Sequence, residues 1–185
     1  QALRANIELG VGNLDYLELV AQAATTAGVV ARVHLKIDTG LHRNGFLAEQ
    51  WPLALDRALL HSLAGAVRVV GVWSHLAETS DPDDDDARAV FDGAVNLANE
   101  AGFERLTRHL TASAASFARP EFEYDAVRIG AFAYGVRSVD GLSLAGMGIG
   151  AIATLTAEVT NIEPDAVTVG IGSFDGLPST LAGKL

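Results

Sequence analysis

The chain has 185 residues, of which 49% are apolar and 19% charged, and it carries a formal net charge of −10. Such a composition is typical of a folded protein with a sizeable core, and the negative charge argues against nucleic acid and anionic membrane surfaces as partners. The sequence contains no cysteine, which excludes disulfides, thiolate zinc sites and a cysteine nucleophile. No apolar run approaches the length of a membrane-spanning helix, and we expect a cytoplasmic protein.

Strand and helix patterns alternate along the first part of the sequence. Asn13 is a good helix N-cap, Gly28 has the position of a helix C-cap, and Pro52 suits a first helical turn. The predicted elements are a strand at 5–12, a helix at 13–28, a strand at 29–38, a helix at 51–65, a strand at 66–75 and a helix at 81–102. This alternation predicts βα units and a parallel sheet.

Two shorter units follow, in which "RHLT" (108–111) leads into the small residues of 112–118 and a further apolar strand is predicted at 125–136. The βα rhythm, without a Gly-x-Gly-x-x-Gly turn, favours a TIM-type (β/α)8 barrel over a Rossmann sheet. Four or five strands are too few to close an eight-stranded barrel. We therefore expect an α/β fold that is a partial TIM barrel, and a chain that is a fragment of a longer one.

The pattern changes near the C-terminus. Residues 150–162 and 166–172 alternate like antiparallel strands, with no helix between them. We therefore predict three parts: the C-terminal portion of a barrel at 1–136, a linker at 137–149 and the start of an all-β domain at 150–185.

Polar side chains follow the predicted strands where each one ends. Lys36 and Asp38 follow the second strand, His75 the third and Ser113 the fourth, and Arg128 lies on the predicted fifth strand. The carboxyl ends of parallel strands gather functional residues, so these groups are expected to converge on one mouth.

Some of these residues also have a purely structural explanation. Asp38 and Gly40 suit a plain turn, and His75 suits a hydrogen-bonded strand end. A structural role is slightly favoured for His34, which alternation places on the face of Lys36. A functional role is favoured for Arg128, because a buried guanidinium keeps its proton and must find acceptors.

Two further features give no indication of chemistry. The aspartates at 83–86 lack the spaced ligands of a calcium loop, so a solvated helix N-terminus is favoured over a metal site. The two tryptophans carry no functional signal.

Four ordered motifs point to a known family. The segments "VHLKIDTGLHRNGF", "GVWSHLAETSDPDD", "RHLTASAASF" and "YDAVRIGAFAYGV" resemble, in order and spacing, the signature segments of the bacterial alanine racemase family. The resemblance runs from about residue 6 to residue 136, and "ATLTAEVTNI" and "GSFDGLPS" look like the family's C-terminal β-domain.

The resemblance implies a pyridoxal phosphate (PLP) enzyme with a fold-type III barrel and a β-domain. Such an enzyme interconverts L- and D-alanine, supplying D-alanine for peptidoglycan. The family works as a head-to-tail homodimer, in which each subunit completes the other's site. The implied partners are therefore a small amino-acid substrate and a second copy of the chain.

The resemblance also implies roles for individual residues. Lys36 matches a family lysine that is often carbamylated, and it would orient Arg43 toward the substrate carboxylate and the cofactor's phenolic oxygen. His75 would stack against the pyridine ring and hydrogen-bond Arg128, which would face the pyridine nitrogen. The phosphate would be held by the following groups: Ser113, the backbone of Gly130 and Ala131, and Tyr134.

The sequence departs from the family pattern in three places. The Schiff-base lysine would lie upstream of residue 1, so the isolated chain is expected to be inactive. Ser173 stands where the family has the tyrosine that serves as second base, and Ala112 stands where it has asparagine. The serine has three explanations: another second base, a different or slow reaction, or a misaligned segment after residue 150.

Two other functions remain open. One is a different PLP-barrel reaction on D-amino acids, such as dehydration or aldol cleavage. The other is a PLP carrier or regulatory barrel that has lost the second base. The pairing of Lys36 with Arg43, which would face substrate, favours the racemase.

Overall fold

The computed structural model describes residues 1–136, 145–154, 156–172 and 175–176. The chain divides into two compact units, residues 1–149 and residues 150–185. Part of the predicted linker at 137–149 lies outside the described residues, and the three-part division stays a prediction.

The first unit contains a four-stranded parallel sheet in the order β1-β2-β3-β4, with helices in the connections. Its elements are β1 (Leu9–Val11), α1 (Leu14–Ala27), β2 (Ala31–Lys36), α2 (Trp51–Leu63), β3 (Val67–Trp73), α3 (Asp81–Glu100), β4 (Thr107–His109) and α4 (Ser113–Ala118). The sequential order of parallel strands confirms the α/β partial barrel.

Local sequence fixes the helix ends as predicted. The Asn13 side chain accepts a hydrogen bond from the backbone N–H of Tyr16 at 2.8 Å, which caps α1. Gly28 ends that helix with φ +66°, a left-handed conformation that glycine adopts without strain. Ser80 caps α3 in the same way as Asn13 caps α1, through the N–H of Asp83.

The apolar core lies between the sheet and the helices. Val33 and Leu35 of β2 point into it together with Leu17 of α1, and all three are fully buried. Trp51 of α2 is also buried, and its indole N–H donates to the carbonyl of Ala94 at 2.9 Å. Because side chains alternate along a strand, the residues between these apolar ones face the other side of the sheet.

A β-bulge in β3 changes which side chains share a face. Val33 pairs with Val69 while the next residue, His34, pairs with Gly71, so Val70 is an extra residue. Val69 belongs to the core, but Trp73, four residues later, does not. The bulge thus turns Trp73 to the side of the sheet that carries His34.

The predicted fifth strand at 125–136 is wrong. This segment has no strand, and its only regular part is a 3-10 helix at Ala131–Tyr134. The Asp125 carboxylate accepts the Arg108 backbone N–H at 2.8 Å, so a side chain takes a donor that a strand ladder would use. Arg128 therefore projects from an irregular segment beside β4.

The expectation of a solvated aspartate run is also wrong for one member. Asp84 is buried, where it accepts the backbone N–H of Glu78 at 3.2 Å. The neighbouring Asp85 forms an ion pair with Arg119, which joins α3 to the end of α4. Two aspartates of the run thus hold neighbouring segments, at Glu78 and Arg119, against the N-terminus of α3.

The second unit contains an antiparallel pair, β5 (Val159–Glu163) and β6 (Ala166–Val169). This confirms the change from parallel to antiparallel pairing, although β5 is shorter than the predicted strand at 150–162. Within the described parts of both units, no helix is long and apolar enough to cross a membrane.

Candidate active site

The inner face of the sheet, opposite the apolar core, carries a cluster of polar side chains around Trp73. The Lys36 Nζ lies 4.8 Å from the centre of the indole ring, and the Arg128 guanidinium carbon lies 5.0 Å from it. The imidazole of His109 stacks on the same indole at 5.6 Å, with the ring planes 16° apart. Two cations and an imidazole thus share one aromatic platform.

Arg128 is held by four acceptors. Its guanidinium donates to His109 Nδ1 at 2.8 Å and to His75 Nδ1 at 3.0 Å. It also donates to the backbone carbonyls of Ser74 at 2.7 Å and Leu110 at 3.1 Å. All four partners are uncharged: two are imidazoles and two are backbone carbonyls. Burial lowers the pKa of Arg128 to about 10. The charge of this guanidinium is therefore available to an anion from outside the protein.

Lys36 is buried at the carboxyl end of β2, with 5% of its surface exposed. Burial is the main cause of its lowered pKa, and the charges of Arg43 and Arg128 lower it further, while Asp38 opposes them. A lysine in such a position more readily loses its proton and reacts as an amine.

A turn after β2 brings Arg43 back toward the mouth. Asp38 accepts the backbone N–H groups of Gly40 at 3.0 Å and His42 at 3.1 Å, so it shapes the turn. His42 has φ +53° and its side chain is 75% exposed. Arg43 is also exposed, yet its charge acts on both Lys36 and His75.

The loop closes on the strand through a bridge between Ile37 and Phe46. The Phe46 N–H donates to the Lys36 carbonyl, and the Asp38 N–H donates to the Phe46 carbonyl, each at 2.8 Å. This close return requires glycine at position 45, where a Cβ would lie 2.7 Å from the Asp38 backbone nitrogen.

We expect Gly45→Ala to destabilise the chain more than Gly40→Ala. Both glycines have positive φ, +134° and +124°, but a Cβ at Gly40 would meet nothing within 4 Å. Strain alone should cost roughly 1 kcal/mol at Gly40, and overlap with backbone should raise this to roughly 3 kcal/mol at Gly45. Urea denaturation measures the free energy of unfolding of both variants. Equal losses of stability would contradict the close approach of Gly45 to the Asp38 backbone.

Two histidines at this site are held neutral. Burial is the first cause and the charge of Arg128 the second, and together they lower the pKa values of His75 and His109 to about 4. Both rings accept a hydrogen bond from Arg128 at Nδ1, so each carries its proton on Nε2. The two rings therefore provide Nε2–H donors in fixed tautomers and add no positive charge to the site.

We expect the free energy of unfolding to fall as the pH decreases from 6.5 to about 4. The unfolded chain binds protons at His75 and His109 near pH 6.5, whereas the folded chain binds them only near pH 4. Urea denaturation across this interval measures how steeply the free energy of unfolding depends on pH. His75→Phe should remove about half of the pH dependence that these two histidines cause. An unchanged slope in that variant would contradict a neutral His75.

A second group of donors lies beside α4. Ser113 is buried, and its hydroxyl accepts the backbone N–H of Gly130 at 2.9 Å. Ala131 begins the 3-10 helix that follows, and Tyr134 at its end is 63% exposed. The Ser113 hydroxyl and the Tyr134 phenol each have an O–H that can donate to an anion.

The first turn of α4, which follows Ala112, is capped by a residue from outside the helix. Ala112 is the N-cap and has no side-chain acceptor for the first turn. The carboxylate of Glu78 instead accepts the backbone N–H of Ala115 at 3.2 Å. A neighbouring loop thus supplies a cap that the local sequence lacks.

The structure brings several of the predicted site residues together and adds others. Lys36, His75 and Arg128 gather at the carboxyl ends of the strands, while Ser113 and Gly130 are joined by their own hydrogen bond. Neither tryptophan carried a signal in the sequence, yet Trp73 lies at the centre of this cluster, and His109 was not among the predicted site residues. Ser173 lies outside the described residues.

Residues 1–138 match the family model described as "Alanine racemase, N-terminal domain". The chain is 42% identical to an alanine racemase of Salinispora tropica over 144 residues, which cover 76% of this chain and 39% of that protein. It is 37% identical to an alanine racemase of Mycobacterium tuberculosis over 150 residues, covering 79% of this chain and 39% of that protein.

Solved structures agree with this similarity. The crystal structure of alanine racemase from the D-cycloserine producer Streptomyces lavendulae superposes with a TM-score of 0.78 at 34% identity, covering 81% of this chain and 40% of that one. Alanine racemase from Streptomyces coelicolor gives the same TM-score at 33% identity, covering 82% and 41%. The chain spans about two fifths of the length of these relatives.

Proposed function

Because this chain belongs to the alanine racemase family, we propose that it forms part of a PLP-dependent racemase that interconverts L- and D-alanine. The reaction would supply D-alanine for peptidoglycan in the cytoplasm. The proposal includes a homodimer with shared active sites, as in the family that the sequence resembles.

The observation that carries the proposal is the surplus of positive charge at the mouth. Lys36 and Arg128 lie 4.8 Å and 5.0 Å from the centre of the Trp73 ring. The charges of Arg43 and Arg128 both act on Lys36, and Asp38 is the opposing charge. A phosphorylated cofactor with a phenolic oxygen and an amino acid with a carboxylate supply the anions that such a site binds. The residues present therefore fit PLP.

Each donor group suits one part of the cofactor. Ser113 and the backbone around Gly130 would hold the phosphate, with Ala131 and Tyr134 beside them. Arg128 would donate a hydrogen bond to the ring nitrogen and, because a guanidinium cannot accept a proton, would keep that nitrogen unprotonated.

When bound, PLP supplies the electron-withdrawing group that acidifies the Cα proton of an amino acid. An unprotonated ring nitrogen withdraws less strongly, which limits side reactions such as transamination. Racemisation also needs a base on each face of Cα, and we assign neither base to a described residue. Arg43 would bind the substrate carboxylate, and Lys36 would orient Arg43.

The test is exchange at Cα in the protein expressed from its complete reading frame. L-alanine and D-alanine are each incubated with PLP in heavy water, and deuterium at Cα is followed together with the chirality of the product. Exchange from both enantiomers is expected. PLP binding without exchange from either would instead favour the carrier barrel, and exchange of other D-amino acids alone would favour a different PLP reaction.

We expect Arg43→Lys to lower kcat/KM for alanine by roughly 10-fold to 100-fold. A lysine keeps the charge but loses the planar pair of donors that matches a carboxylate. The matched control is Arg57→Lys on helix α2, where the partly exposed side chain pairs with Glu18. If Arg43→Lys were as active as the control, Arg43 would not bind the substrate carboxylate.

A further inference from the structure

A chain of hydrogen bonds runs from Arg128 across the inner face of the sheet. Arg128 donates to His109 Nδ1 at 2.8 Å, and His109 Nε2 lies 3.0 Å from His34 Nδ1. His34 Nε2 lies 2.7 Å from a carboxylate oxygen of Glu8, which also accepts from Arg32. We call Arg128, His109, His34 and Glu8 the inner relay.

The hydrogen bonds of the inner relay all run in one direction, from the donor Arg128 to the acceptor Glu8. Arg128 can only donate, so His109 accepts at Nδ1 and carries its proton on Nε2. His109 Nε2–H then donates to His34 Nδ1, and His34 Nε2–H donates to Glu8. Every member thereby has a defined proton position, from a cation at one end to a carboxylate at the other.

The sheet is built around the inner relay. A Cβ on Gly71 would lie 2.1 Å from His34 Nδ1, so the absence of a side chain at this position makes room for the imidazole. The β3 bulge at Val70 places Gly71 opposite His34 and turns Trp73 toward His109. His109 is thus fixed by stacking on one face and by hydrogen bonds at both nitrogens.

We propose that His109, His34 and Glu8 are positioning residues that fix the guanidinium of Arg128 against the ring nitrogen of the cofactor. The carboxylate of Glu8 orients His34, His34 orients His109, and His109 takes one Nη donor of Arg128. The other Nη nitrogen donates to His75 and two backbone carbonyls, so contacts at both Nη nitrogens fix the plane of the guanidinium. This proposal rests on the proposed function, since it requires a ligand with a ring nitrogen.

The first measurement needs no cofactor. Nitrogen-15 spectra of histidine-labelled protein report which ring nitrogen carries the proton, and we expect Nε2–H for both His34 and His109 at neutral pH. A proton on Nδ1 of either ring, or a doubly protonated ring, would overturn the inner relay.

The second measurement uses pyridoxamine 5′-phosphate and inorganic phosphate as probes, with apo protein from the complete reading frame. Pyridoxamine phosphate has the ring nitrogen but forms no bond to lysine, so its affinity reports non-covalent contacts alone. His109→Phe keeps a ring that can stack on Trp73 but removes both hydrogen bonds. We expect it to weaken pyridoxamine phosphate roughly 10-fold and to leave phosphate within about twofold.

Two glutamates provide a matched pair. Glu8 accepts from His34 and Arg32, and Glu18 has the same kind of partners in His61 and Arg57 on the helical surface. Glu8→Gln is expected to weaken pyridoxamine phosphate about threefold, because it acts through two imidazoles, whereas Glu18→Gln should have no effect.

The outcomes separate the two proposals. If the unaltered protein binds pyridoxamine phosphate and both His109→Phe and Glu8→Gln bind it equally well, the positioning role is wrong and the PLP function stands. Equal losses for pyridoxamine phosphate and phosphate would also overturn the positioning role, since they indicate general damage. If the unaltered protein binds no pyridoxamine phosphate, the PLP function itself is wrong, and the positioning role is wrong with it.

Discussion

Replacing Arg128 with alanine should reduce the affinity for pyridoxamine 5′-phosphate by more than about 100-fold. The substitution removes the donor to the ring nitrogen and leaves four acceptors at His109, His75 and two backbone carbonyls without their partner. Isothermal titration calorimetry of the apo protein measures the affinity, and urea denaturation measures stability alongside it.

The comparison variant for Arg128→Ala is Arg57→Ala. Arg57 is a partly exposed arginine that pairs with Glu18 on the helical surface, so the same atoms are removed without touching the inner face. Asp84→Ala is a poor comparison, because Asp84 is buried and accepts the Glu78 N–H. An affinity of Arg128→Ala within about threefold of the Arg57→Ala value would show that Arg128 does not contact the ligand.

Gly71→Ala should lower the free energy of unfolding by roughly 3 kcal/mol. Its Cβ would lie 2.1 Å from the His34 ring and 2.6 Å from the Thr107 carbonyl oxygen, so both a partly buried imidazole and a backbone group must move. The pairing of β3 with β2 and β4 would be disturbed at the same position.

The matched control for this substitution is Gly93→Ala within helix α3. A Cβ at Gly93 would meet nothing within 4 Å, and alanine favours the helix over glycine by about 1 kcal/mol. Urea denaturation should therefore show opposite signs for the two variants. Equal stability of Gly71→Ala and the unaltered protein would mean that His34 is not fixed opposite Gly71.

Much of the barrel portion was predictable because its signals are local. The Asn13 cap, the Gly28 end and the β-branched run at 29–38 each depend on neighbours within a few residues, and the structure has a helix and a strand there. The residues at strand ends were predictable for a similar reason, since parallel strands bring their carboxyl ends to one edge.

The missed features depend on contacts between distant residues. Strict alternation from Val67 places Trp73 in the core, and only the extra residue Val70 reverses this. The pairing of His109 with His34 joins positions 75 residues apart, which no local pattern indicates. The apolar composition of 125–136 suits a strand, but the Asp125 side chain competes for the backbone donor of Arg108.

The separation of the two faces of the sheet has an evolutionary consequence. Stability depends on Val33, Leu35 and their partners on the helical side, while the groups proposed for chemistry lie on the opposite side. Selection can therefore alter one set of residues without degrading the other, and relatives can diverge in reaction while they keep the same packed layer. Val70 is an exception. Deleting this residue would remove the bulge, and each later residue of β3 would then point to the opposite face of the sheet.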